Sequence, residues 1–82
     1  MKLFVWRGEG ILTDYTNGIM FAIAKDVHEA RKMIYDQAKN DVENDIVSRQ
    51  FFEDNLSPEM LDGLSRDPEI FERGGFYLMG GG

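Results

Sequence analysis

Two apolar, β-forming runs open this 82-residue chain, Lys2–Arg7 (KLFVWR) and Ile19–Ala24 (IMFAIA). Both are rich in branched and aromatic residues, which suit a pleated surface. In the first, Leu3 and Val5 fall on one face and Phe4 and Trp6 on the other. Apolar residues on both faces predict a strand in the centre of a sheet or covered on both sides. Gly8-Glu9-Gly10 bends the chain after it, and Ile11–Tyr15 reads as a short, looser strand. Asn17-Gly18 then supplies the positive φ angles of a type I′ turn, so a hairpin is expected. Trp6, Phe21 and Ile23 are its expected core residues, with the pairing register left open.

Beyond Ala24 the pattern turns helical. Asp26 is placed to cap a helix, with Glu29 three residues on in the capping-box position. Val27, Ala30, Ile34 and Ala38 make one apolar stripe, and Arg31, Lys32, Asp36 and Lys39 fall away from it. A continuous helix would carry Asp41 and Asp45 onto the stripe, which is costly for unpaired carboxylates. The phase therefore predicts a break near Asn40, which would cap a second helix with Glu43 in its third position. A single kinked helix is the alternative. In the second helix Val42, Ile46 and Arg49 begin a new stripe, and Val47 pairs with Phe51. Ser57-Pro58-Glu59 starts a short helix that Gly63 is expected to end. Asp67-Pro68 reads as a turn, and Glu69–Met79 as a last strand or bent strand pair with Gly74-Gly75 as bulge or turn. Ile70, Phe71, Phe76 and Leu78 are its expected buried positions, and 80–82 a flexible glycine end.

The expected fold is α+β, a single domain over 1–82. A small antiparallel sheet, made of the N-terminal hairpin and the C-terminal strand, packs on two or three helices. The last strand is open between a place beside the first and the far edge.

Charge is distributed unevenly. Residues 1–35 hold five Lys/Arg against four Asp/Glu, and residues 36–82 hold four against eleven, giving +1 and −7 within the net −6. That balance favours a basic protein partner over free nucleic acid. The absence of cysteine excludes disulfides and thiolate metal sites and fits a reducing compartment. No apolar run approaches the roughly 20 residues needed to span a bilayer, and the N-terminus lacks the apolar length of a signal peptide. A soluble, cytoplasmic protein is expected.

No reaction is written in the residues. His28, the one histidine, lies off the apolar stripe and has no ligand partners at a recognised spacing. Arg7-Gly8-Glu9-Gly10 lacks the third glycine, the following helix and the Lys-Ser/Thr pair of a phosphate loop. The acids show neither a calcium-loop pattern nor a cleft for a catalytic pair. No catalytic residue, metal or cofactor is therefore expected.

The candidate partner-binding residues are the acids of the densest stretch, Asp36, Asp41, Glu43, Asp45, Glu53 and Asp54, with Tyr35 and Phe52 as aromatic anchors. Phe51 and Phe52 are adjacent, so one helix cannot bury both on one face. The plain alternative is a solvated helix face.

In layout, the opening KLFVWRGEG through KDVHEARKMI and the glycine-ended FYLMGGG resemble small phage-encoded inhibitors of the anti-CRISPR type. The resemblance implies a protein that occludes a nucleic-acid-binding or assembly surface of a host effector complex, and it transfers no residue. The expected function is that of a non-enzymatic acidic interaction protein. A self-associating structural subunit, with a homodimer, is the alternative, and a small enzyme or metal-dependent domain the third reading.

Overall fold

The computed structural model describes residues 1–12, 18–44, 49–53, 57–75 and 77, apart from the side chain of Phe51. Its elements run β1 (Lys2–Arg7), β2 (Ile19–Ala24), α1 (Val27–Glu43), α2 (Arg49–Phe51), α3 (Ser57–Leu64) and β3 (Glu69–Phe71). This is the expected α+β arrangement, and the antiparallel sheet has the order β2-β1-β3. The strand with two apolar faces is the central one, and the last strand lies beside it.

Register decides which face of β2 is core. Trp6 stands opposite Met20 and Phe4 opposite Ala22. Period-two alternation therefore puts Met20, Ala22 and Ala24 on the inner face with Phe4 and Trp6. All five are buried. Phe21 and Ile23, expected in the core, instead lie on the outer face at 58% and 59% exposure, opposite Val5 and Leu3. The physical reason is on the facing helix. Small Ala22 and Ala24 meet a helix whose own buried positions include Ala30 and Ala38, so α1 comes close to the sheet. Two large side chains turned inward would hold it off.

The link between β1 and β2 is longer than a two-residue turn. Arg7 pairs with Ile19, and the Gly18 amide donates to the Ile11 carbonyl at 2.7 Å. β2 pairs with Lys2–Arg7, and Ile11 and Leu12 form no strand; the rest of the strand expected over Ile11–Tyr15 lies outside the described residues. Asn17 lies outside the described residues. Gly18 is needed for close approach, because a Cβ there would meet Leu12 Cβ at 2.8 Å.

Helix α1 begins as its chemistry dictates, with the Glu29 amide donating to Asp26 Oδ1 at 2.8 Å. It then runs unbroken past Asn40 to a cap at Asn44. The break expected near Asn40 is absent because the stripe advances by four residues, from Ala38 to Val42, and Val42 is buried. Asp41, only three residues past Ala38, falls on the flank, where it is half-buried and accepts from Gln37 Nε2 at 2.9 Å. Asp45, Ile46 and Val47 lie outside the described residues.

Helix α3 closes the inner face with Met60 and Leu64. Gly63 does not end it. It is a buried packing position, where a Cβ would stand 3.0 Å from Met20 Cε and 3.3 Å from Ile11 Cδ1. The turn after the helix is fastened from two sides. Arg31 Nε donates to the Leu64 carbonyl at 2.6 Å, and Trp6 Nε1 to the Arg66 carbonyl at 2.9 Å. Arg31, expected to face away from the core side of α1, is thus half-buried against α3.

β3 takes up three residues, Glu69–Phe71, of the strand or bent strand pair expected over Glu69–Met79, whose residues 76 and 78–79 lie outside the described residues. Arg7 grips Glu69 with two hydrogen bonds, at 2.7 and 3.1 Å, and Lys2 faces Glu72 at 3.5 Å. Ile70 is exposed and Phe71 half-buried. Ile70 stands opposite Phe4 at the outer edge of the sheet, where no further strand covers it among the described residues. Phe76, Leu78 and 80–82 lie outside them. Replacing Trp6 with Phe removes the indole donor and part of a side chain that is 2% exposed. It should lower the unfolding free energy by about 2 kcal/mol in denaturant titrations, with the slope unchanged.

Candidate functional site

Helix phase separates the acidic stretch instead of gathering it. Asp36 and Glu43, seven residues apart, project from the outer face of α1, opposite the buried row of Ala30, Ala38 and Val42. Asp36 is held by Lys32 Nζ at 2.6 Å. That hydrogen bond, with the charge of the same carboxylate, raises the Lys32 pKa above its ordinary value. Lys39 shares this side of the helix and lies 5.7 Å from the centre of the Tyr35 ring. The outer face of α1 therefore carries both signs of charge.

Glu43 and Glu53 come together at a hollow that Lys39 and Arg49 also line. Asp41 points elsewhere, to the flank of α1 facing β2. Asp45 and Asp54 lie outside the described residues.

Of the two aromatic anchors, Phe52 is corrected by the structure. Phe52 is 7% exposed and belongs to the core. Tyr35 is half-buried, with its ring 6.0 Å from that of Phe52 and its hydroxyl 3.2 Å from Ser57 Oγ. Both fill the junction between α1, the segment after α2 and the start of α3. The adjacency of Phe51 and Phe52 could not reveal which of the two turns inward.

A different surface is open. Among the described residues β2 is an edge strand, and α1 packs against it. Between them runs a groove of about 390 Å³, walled by Ile19, Phe21 and Ala22 on one side and Met33, Gln37 and Asp41 on the other. Phe21 at 58% and Met33 at 46% are both exposed there, and Ile23 continues the apolar surface along the outer face of the sheet. Asp41 Oδ1 takes the Gln37 amide, and no partner to its second oxygen occurs among the described residues. The sequence signal for this groove was the pattern of β2 itself, apolar at every position. Such a strand has apolar side chains on its solvent side whichever face turns inward.

His28 is exposed in the first turn of α1. No three of His, Asp or Glu among them are grouped so as to hold a metal ion. No helix among them is long and apolar enough to cross a membrane. Comparison with protein-family models, curated proteins and solved structures returned no match.

Because Phe52 is a core residue, Phe52→Ala should cost about 3 kcal/mol in chemical denaturation. Glu43→Gln and Glu53→Gln, at exposed positions, should stay within about 0.5 kcal/mol of the parent. A Phe52→Ala variant of parental stability would contradict its placement in the core.

Proposed function

We propose that this chain is a non-enzymatic interaction protein that engages another protein with a basic surface. The observation carrying the proposal is the exposure of Phe21 and Ile23 on the outer face of β2 and of Met33 across its edge on α1, beside the half-buried carboxylate of Asp41. Exposed large apolar groups rimmed by charge are the usual anatomy of a contact site. Net charge adds direction. Lys2, Arg7, Lys32 and Arg66 each lie in an ion pair within the chain, and Arg31 is spent on backbone carbonyls. The carboxylates of Glu43, Glu53 and Asp67 are exposed. With a net charge of −6, the field at the surface attracts a cationic partner and speeds its approach.

On this reading the apolar groups supply affinity, and the acids supply rate and selectivity. A protein of this kind would act by covering a basic surface that otherwise binds nucleic acid or another subunit. That is the mode the resemblance in general layout to phage-encoded anti-CRISPR inhibitors implies.

The test is a titration of a captured partner against the parent chain and a Phe21→Ser, Met33→Ser double variant. It is run from about 0.1 M to about 1 M salt, over which the screening length falls from about 10 Å to about 3 Å. The parent should weaken as salt rises, chiefly through a slower on-rate. The double variant should bind at least about tenfold more weakly at every salt concentration. Affinity indifferent to both salt and the double substitution would contradict the proposal.

A further inference from the structure

We propose that the groove between β2 and α1 binds an extended segment of the partner by strand addition, and that this segment carries a Lys or Arg that meets Asp41. This inference rests on the interaction reading above and names what enters its apolar surface.

The backbone of β2 is the first reason. Among the described residues no strand pairs with its outer edge, so alternate N–H and C=O groups along Ile19–Ala24 point away from β1. Soluble proteins protect such edges with charged side chains, proline or a bulge. The six residues IMFAIA contain no charge and no proline, and their pairing with β1 is in continuous register. An added chain would lie about 4.8 Å beyond β2, beside the wall that α1 provides.

Side-chain alternation is the second. In an added strand one set of residues would face Met33, Gln37 and Asp41 of α1, and the other would lie beside Phe21 and Ile23 on the outer face. Both neighbourhoods are largely apolar. Asp41 lines the groove together with Ile19, the first residue of β2. It is half-buried, and one of its carboxylate oxygens lacks a partner among the described residues. A carboxylate in partly apolar surroundings is best satisfied by a cation that donates a hydrogen bond to it.

Geometry selects a lone strand over a second copy of this chain. Helix α1 packs on β2, the edge strand itself. Pairing β2 with β2 of another copy in one sheet would set the strands about 4.8 Å apart. The two α1 helices above them need about 8–10 Å between axes. A segment that brings no helix over the same edge meets no such conflict.

The probe is a blocked peptide of about seven alternating Val and Lys residues, a typical strand length. It is titrated into the full chain and followed by amide chemical shifts. Shifts should concentrate at Ile19–Ala24 and at Met33–Asp41. A peptide of the same charge N-methylated at every residue, unable to donate to β2, should bind at least about tenfold more weakly. Asp41→Asn keeps the shape of the side chain, so it should fold as the parent does. It should weaken the unmodified peptide about tenfold or more and reduce its salt dependence.

Shifts confined to the outer face of α1 near Asp36 and Glu43, or equal affinity of the N-methylated peptide, would overturn strand addition. So would no binding at all, or β2 shifts that grow with protein concentration in the absence of peptide. Salt-sensitive, Phe21-dependent capture of the partner, persisting alongside any of these results, would leave the interaction reading standing and remove only the strand-addition mode.

Discussion

The carbonyl of Arg66 is where the two halves of the chain are fastened. It accepts the indole N–H of Trp6 at 2.9 Å and a guanidinium N–H of Arg31 at 3.4 Å. Trp6 belongs to the central strand and Arg31 to the long helix, so one backbone atom joins β1, α1 and the turn after α3. The guanidinium of Arg66 adds a bond to the Glu9 carbonyl at 3.0 Å, which holds the bend after β1 against the same turn. A domain of this size has little buried surface in reserve. Directional bonds that set α3 under the sheet are therefore a large part of what fixes a single arrangement. With α3 held there, β3 can follow directly and pair with β1, and β2 is left as the opposite edge.

Much of this was legible in the residues and some was not. The Asp26 cap, the stripe of Val27, Ala30, Ile34 and Ala38, and the central place of KLFVWR all come from local rules that the structure obeys. Contacts between distant elements were not legible. No local pattern shows that Trp6 and Arg31 share a carbonyl near residue 66, or that Gly63 is small because Met20 and Ile11 press on it. The faces of β2 were misjudged because both are apolar, and hydrophobicity alone cannot choose between them. Size decides instead, with alanines inside where α1 is close and Phe21 and Ile23 outside.

The expected acidic site shows a similar division. Its central premise, that carboxylates avoid the core face of α1, holds for Asp41, but by a small rotation and not by a break. A step of three residues from Ala38 places Asp41 on the flank, and a step of four places Val42 inside. That rotation removes Asp41 from the company of Asp36 and Glu43 and gives it to the groove beside β2. Tyr35 is a candidate anchor because it lies off the first apolar stripe, and Phe52 because one helix face cannot bury it together with Phe51. Their burial depends on α3 and the segment after α2, which only the assembled fold brings together.

An interaction surface at β2 requires that its outer edge be open in the free protein. Native-state hydrogen exchange of the β2 amides tests this directly. Amides bonded to β1 should be protected to the level of the global unfolding free energy, while the intervening amides, pointing outward, exchange at rates close to those of an exposed loop. Alternating protection along Ile19–Ala24 is the expected result. Uniformly strong protection of all six amides in dilute monomer would mean that the edge is already covered, and would contradict the account.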